Sequence, residues 1–237
     1  MRFSFKAAWF PRAIVLAALF ATASVRSLAG ELAVVYLPHG RPDAAALLAP
    51  PPLPGSAEQA ADLAEVVAVH GATTSNETAL AFSEKKFSIF NFTPAIGGFF
   101  QAGKFPKTEA LFDQIQKEAA AAVDVATEHW KRPRPYTVMP SLAAGKLETS
   151  FGYPSGHSTE SMVMALLLAD LFPDKRDDIL GIGRGIGWHR VCIARHYPTD
   201  IYAGRVFAQA IVREIKANAD FQRDFDEVKS ELSASRP

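Results

Sequence analysis

The stretch from Ser158 to Phe172, STESMVMALLLADLF, decides the fold. From Met162 onward it is apolar on almost every side, and a helix without a polar face belongs in the middle of a bundle. Punctuation brackets it, with Tyr153-Pro154-Ser155-Gly156-His157 before and Pro173-Asp174 after. The segments on either side must then supply the helices that cover it.

On the N-terminal side the longest is Pro106 to Trp130. Proline sits where a first helical turn tolerates it, and Leu111, Phe112, Ile115, Ala119, Ala122, Val123, Ala126 and Trp130 form one stripe at a 3.6-residue period. The run that follows, EHWKRPRPY over residues 128–136, crowds Lys131, Arg132 and Arg134 around the prolines 133 and 135 that end the helix. Those cations lie near the last helical carbonyls, where the dipole favours positive charge, so a solvated helix end accounts for them without any further role. Ser56 to His70 and Asn76 to Phe87 carry two more helical patterns.

On the C-terminal side, Asp177 to Ala194 is helical in pattern through Gly181, Gly183, Gly185 and Gly187. A nucleotide-binding G-x-G-x-x-G would need another glycine at 186 or 188, where Ile186 and Trp188 stand, and no strand precedes it; close helix packing explains the glycines better. Pro198 to Asn218 and Phe221 to Leu232 complete the set. Strand signals are scarce, so the expected fold is an all-α, single-domain helical bundle over residues 56–237.

The chain has 237 residues, 49% of them hydrophobic, enough for a full core. Its 25 basic and 25 acidic residues cancel, which removes the global field that would hold a nucleic acid and makes any anion binding local. Residues 1–29 read as a signal peptide: Arg2, Lys6 and Arg12, an apolar run from Ala13 to Ala21, then small residues. The run is too short to span a bilayer and no later stretch is longer, so the mature chain is expected to be periplasmic or secreted, without integral membrane insertion. Residues 30–55, with Pro50, Pro51, Pro52 and Pro54, read as an extended surface arm. A single cysteine, Cys192, excludes an intramolecular disulfide and reads as a buried thiol.

Three separated segments carry polar groups suited to phosphoryl chemistry: Arg134-Pro135; Pro154-Ser155-Gly156-His157 before the buried helix; and Arg190 with His196 and Asp200. Arginine forks match phosphate oxygens, and the Ser155-Gly156 pair stands at a helix N-terminus, where N–H groups and the dipole favour an anion. His196 and Asp200 are four apart, so the carboxylate can orient the imidazole and leave its other nitrogen to attack phosphorus, with His157 near to protonate the leaving group.

In this order the segments resemble the type 2 phosphatidic acid phosphatase superfamily, and within it the bacterial class A non-specific acid phosphatases. The family pattern is Lys-x6-Arg-Pro, Pro-Ser-Gly-His and Ser-Arg-x5-His-x3-Asp; the likeness extends to the proline-rich arm, the GSAEQAAD run from Gly55 and the ADFQ segment from Ala219. The resemblance implies a metal-independent phosphatase with no cofactor, acting on small phosphate monoesters with broad specificity, with inorganic phosphate as product and phosphate transfer to alcohols as a second activity. It makes His196 the nucleophile that becomes phosphohistidine, Asp200 its orienting partner and His157 the general acid. Arg134, Arg190, Ser155 and the Gly156 amide would bind the phosphoryl oxygens.

Two positions depart. Thr127 stands where the family has lysine, and His189 where it has serine. Losing a charge-assisted bond would cost roughly ten- to a hundredfold in affinity or rate. Lys131, one turn beyond Thr127, the nearby Arg132 and a protonated His189 are the candidates to restore the charge. The alternatives are a non-catalytic or weakly active phosphate-binding relative, and a vanadium-dependent haloperoxidase, which shares motif and fold. A homo-oligomer is left open by the sequence, as is the physiological substrate.

Overall fold

Met1 and residues 35–235 are described by the computed structural model; the expected signal peptide lies outside the described residues. Residues Val34–Pro237 form one unit, and among its described residues there are helices and turns but no strand. In chain order the helices are α1 Ala44–Leu47, α2 Ala57–Ala72, α3 Ser75–Ser83, α4 Thr93–Ile96, α5 Pro106–Trp130, α6 Pro135–Val138, α7 Gly156–Leu171, α8 Arg176–Cys192, α9 Pro198–Ala217 and α10 Ala219–Ser235. The all-α bundle expected from the sequence is the fold observed.

Local chemistry sets the ends. Ser56 caps α2 by accepting from the Gln59 amide at 3.1 Å, and Thr74 with Glu77 forms a reciprocal capping box on α3. Proline opens α5 and α9 at the position where a missing N–H costs nothing. At its far end α5 stops in Lys131, whose backbone is left-handed (φ 49°, ψ 37°). That reversal turns the following residues back toward the protein interior.

Helix α7 runs through the centre, packed against α5, α8 and α9, and its residues from Met162 to Ala165 and Leu167 to Ala169 are buried. Two seams bring backbones unusually close. A Cβ at Gly183 would stand 2.7 Å from the Ala165 Cβ, and one at Gly187 would stand 3.0 Å from the Ser158 side chain, so α8 lies directly on α7. On the α9 side, a Cβ at Gly204 would meet the Ser155 carbonyl at 2.9 Å. Two of the four α8 glycines thus serve close packing, as their pattern suggested. Serine hydroxyls knit the same seams: Ser161 donates to the Gly183 carbonyl at 2.9 Å, Ser158 to the Ile201 carbonyl at 2.8 Å.

The arm lies on the surface through its proline run, with Pro50, Leu53 and Pro54 exposed, but the residues before that run are partly drawn into the core. Tyr36, Leu37, Ala44 and Leu48 are buried in the main core, and the Tyr36 and Leu37 amides donate to the Glu118 carboxylate of α5. Large apolar side chains in an otherwise extended stretch gain more by packing than by solvation. Among the described residues, no helix is long and apolar enough to cross a membrane.

Candidate active site

Between α5, α7 and the α8–α9 corner lies a cavity of about 200 Å³, lined among others by Thr127, Arg134, Gly156, His157, Arg190 and His196. The three sequence segments therefore converge on one chamber. Each reaches it by a distinct local device.

The corner supplies the most. Helix α8 ends in a left-handed residue, Ala194 (φ 52°), with the Arg195 amide donating to the Arg190 carbonyl and the Ala194 amide to the Val191 carbonyl, both at 2.8 Å. This double bond pattern closes a helix tightly and folds the chain back on itself. Arg190, Arg195 and His196 consequently all line one chamber. Helix α9 starts two residues later, and Asp200 in its first turn accepts from the Tyr197 amide at 2.9 Å.

His196 is almost fully buried. Its Nδ1 lies 2.9 Å from the Gly152 carbonyl and 3.3 Å from Asp200 Oδ2. A carbonyl can only accept, so Nδ1 carries the proton and the lone pair is on Nε2. Nε2 in turn lies 2.9 Å from Arg134 Nη1, which donates to it. Burial, reinforced by Arg134 and Arg190, holds the imidazole well below its ordinary pKa, so it is neutral with a lone pair facing cations. Burial also pushes the Asp200 carboxyl up to about 6 against the pull of Arg132, leaving it ionised at neutral pH.

Arg132 is the larger surprise. Far from being a solvated helix end, it is 4% exposed and sits between two carboxylates: Nη1 donates to Asp200 Oδ1 at 2.5 Å and Nη2 to Asp62 Oδ2 at 2.6 Å. Its guanidinium stacks 4.0 Å above the Tyr197 ring. It does not line the chamber; it holds the carboxylate that holds the histidine.

Arg134 is buried, and every donor has a protein acceptor: Nε donates to the Ser150 carbonyl, Nη2 to the Ser150 hydroxyl and Phe151 carbonyl, and Nη1 to the Arg195 carbonyl and His196. An incoming anion would have to take over some of these bonds. Arg190 donates to the Ala81 carbonyl at the end of α3. His157 keeps Nε2 buried without a partner, its ring tilted 5.7 Å from Phe87 and bonded to the Lys85 backbone. Burial, then Arg190 and His196, depress it to about 3, so it is neutral before any ligand enters.

The remaining expected residues divide. Gly156, first residue of α7, lines the cavity, but Ser155 lies behind the wall, fully buried, its Oγ capping α7 by accepting from the Ser158 amide at 3.4 Å. Thr127 is on the wall, yet its hydroxyl donates to the Asp124 carbonyl of its own helix at 3.0 Å. Lys131 and His189 are outside the chamber. Lys131 is exposed and borders a separate groove between the arm and Pro133, while His189 pairs with Glu84 at 2.7 Å, tying α8 to the end of α3. Neither stands where it could restore the charge that Thr127 lacks. Cys192 is buried, which raises its thiol pKa, and is not on the wall.

Several residues on the wall escaped the motif reading, among them the ionisable Arg195, Asp124, Glu148 and Glu160. Desolvation works to raise Glu148, but Arg195 and Arg134 outweigh it and hold the carboxyl below its ordinary value. Burial pushes Glu160 up to about 7. Only the uncommon doublet Arg195-His196 offered a sequence signal, and its meaning depends on the corner.

Residues 118–222 match the PAP2 superfamily, the one that the three segments resemble. The chain is 29% identical over 208 residues to an acid phosphatase of Zymomonas mobilis, an alignment spanning 84% of this chain and 78% of that protein. It is 29% identical over 128 residues to a non-specific acid phosphatase of Providencia stuartii, covering 52% of each. Among solved structures, it is similar to a transmembrane PAP2 type phosphatidylglycerolphosphate phosphatase from Bacillus subtilis, with a TM-score of 0.52, 23% identity, and coverage of 78% of this chain and 90% of that one. That last likeness concerns the fold.

Proposed function

We propose that this chain, which carries a PAP2 superfamily domain over residues 118–222, is a phosphatase that hydrolyses phosphate monoesters through a phosphohistidine at His196. One observation carries the reading: a neutral imidazole, its Nδ1–H fixed by the Gly152 carbonyl and Asp200, presents Nε2 to a small chamber walled by arginines. A lone pair poised among cations suits attack on an anionic phosphorus centre. The acid phosphatase relatives support the same reaction class.

In the proposed sequence, Nε2 of His196 forms a bond to phosphorus as the ester P–O bond breaks. The leaving alkoxide takes a proton from His157, which the bound phosphate dianion has first brought to its cationic form by opposing the cations that hold it neutral in the empty chamber. With His157 then neutral, it removes a proton from water, and the resulting hydroxide attacks phosphorus and breaks the P–N bond, releasing inorganic phosphate and the original imidazole. Arg134, Arg190 and the Gly156 amide neutralise and orient the phosphoryl oxygens, while Asp200 stabilises the cationic ring of the intermediate. Every group in this scheme belongs to the chain, so no metal is required; an alcohol in place of water would give phosphate transfer. Substrates are small monoesters, in keeping with the chamber's size. Export to a periplasm or outside the cell follows from reading residues 1–29 as a signal peptide.

The decisive experiment compares p-nitrophenyl phosphate turnover by wild type and His196→Ala, each with and without chelator. Loss of turnover on substitution and indifference to chelator support the scheme; equal activity of the two proteins sinks it.

A further inference from the structure

Arg195 has no part in the motif segments, yet it is among the largest fully buried side chains of the protein and lines the chamber beside Arg134, Arg190 and His196. Most of its guanidinium is committed. Nη2 donates to the Ala144 and Lys146 carbonyls, the latter at 3.0 Å, Nε lies 3.3 Å from the Glu148 carboxylate, and the group stands 5.2 Å over the Tyr136 ring. Nη1 is buried with no hydrogen-bond partner. A charged N–H donor left unmet in the interior is costly, and such exceptions call for a ligand or a role.

The surroundings say what that ligand would be. Arg195 opposes the charge of both Arg134 and Arg190, and Glu148 is the carboxylate that offsets them. Three guanidinium groups reach one small chamber whose wall also carries Asp124, Glu148 and Glu160, the last pushed up to about 7 and so mostly neutral in mildly acidic solution; on the wall the cations remain in excess, which favours an anionic ligand. The α5 wall meanwhile contributes no cation, since Thr127 spends its hydroxyl on its own helix. The corner explains how Arg195 comes to be there, because the left-handed Ala194 turns it back beside Arg190.

We propose that Arg195 is the third cation of the phosphoryl site: its Nη1–H donates to a phosphoryl oxygen alongside Arg134 and Arg190, supplying the positive charge that position 127 lacks. The inference rests on reading this chamber as a phosphoryl site. It predicts that the charge can be moved. Lysine introduced at 127 should replace Arg195 as a phosphate ligand, although it cannot replace its anchoring of the 144–146 carbonyls.

The test uses the full mature chain as wild type, Arg195→Met, Arg195→Lys and the double variant Arg195→Met/Thr127→Lys. Calorimetry measures inorganic phosphate binding, p-nitrophenyl phosphate kinetics measure kcat and KM, and thermal melts follow stability. Arg195→Met should bind phosphate about ten- to a hundredfold more weakly. The double variant should regain most of that loss while melting no higher than Arg195→Met, which separates the charge from the anchor. Arg195→Gln, which keeps a donor for the Ala144 carbonyl, replaces the methionine variant if that one does not fold.

Wild-type phosphate affinity in Arg195→Met, or a loss that neither Arg195→Lys nor Thr127→Lys recovers, overturns the proposal. Arg195-dependent phosphate binding in a wild type that turns over no ester upholds it and removes the hydrolase reading. Turnover and phosphate binding both indifferent to Arg195 do the reverse. A wild type that binds no phosphate overturns both.

Discussion

Arg132 and Asp200 form an ion pair inside the protein, 2.5 Å from Nη1 to Oδ1, with side chains 3% and 0% exposed. The same guanidinium pairs with Asp62 of α2, so one cation neutralises two carboxylates drawn from opposite ends of the sequence. Breaking a buried pair by removing one partner strands a charge, at a cost of about 3–5 kcal/mol. Arg132→Met should lose stability on that scale by denaturant unfolding. Without Arg132 the Asp200 pKa rises further above about 6. Protonation then favours the folded state, so the deficit should shrink as pH falls below that value, and the acidic limb of kcat/KM should move to higher pH.

The position of Lys131 gives an opposite expectation. Its left-handed backbone strains any residue with a Cβ by about 1–2 kcal/mol, and glycine relieves this at some cost in chain entropy. Lys131→Gly should therefore leave stability unchanged or raise it by about 1 kcal/mol. Although it removes a cation close in sequence to Arg134, inhibition by inorganic phosphate should stay as in wild type, because Lys131 borders a separate groove.

His157 should bind a proton when phosphate binds. Alone, it is held at about 3 by burial, Arg190 and His196, so it is neutral throughout the mildly acidic and neutral range. A bound dianion opposes those cations and raises the pKa. Between the low value of the unliganded protein and the higher liganded one, binding takes up a proton, so affinity strengthens as pH falls. Calorimetry in buffers of different ionisation heat should register this uptake in wild type, beyond the ligand's own titration, and His157→Asn should lose it.

Gly204→Ala tests the seam under the site. The new methyl would press on the Ser155 carbonyl at 2.9 Å, and backbone cannot step aside as a side chain can. Overpacking of this kind costs about 1–3 kcal/mol. Because Ser155 caps the helix that carries Gly156 and His157, a fall in turnover should accompany the drop in melting temperature. Unchanged turnover in a destabilised variant would separate the seam from the chemistry.

Much of this was legible in local sequence. Proline at 106 and the 130–133 boundary delimit α5 as read, the apolar run from Met162 lies in the bundle centre, and the paired glycines of α8 mark close approach. These are properties of short windows. What stayed hidden depends on distant partners. Arg132 reads as a surface charge until Asp62, 70 residues away, and Asp200, 68 away, are brought to it. His189 does not line the chamber and is paired instead with Glu84, 105 residues earlier. Arg195 gains meaning only from the turn at Ala194, where alanine occupies a conformation that composition would assign to glycine.

The corner between α8 and α9 has no slack. From the Arg190 carbonyl to the Asp200 carboxylate its backbone is closed by hydrogen bonds at both ends, so one inserted residue would swing His196 off its axis. Arg134, by contrast, is tied to the Ser150 and Phe151 carbonyls of a segment outside any helix. The chamber thus has a stiff anvil and a yielding jaw. Ligands of different bulk would be accommodated by movement of residues 147–151, between the carbonyls that Arg195 anchors and the Gly152 carbonyl that aligns His196, and graded changes in specificity are to be sought there, while the nucleophile keeps its aim.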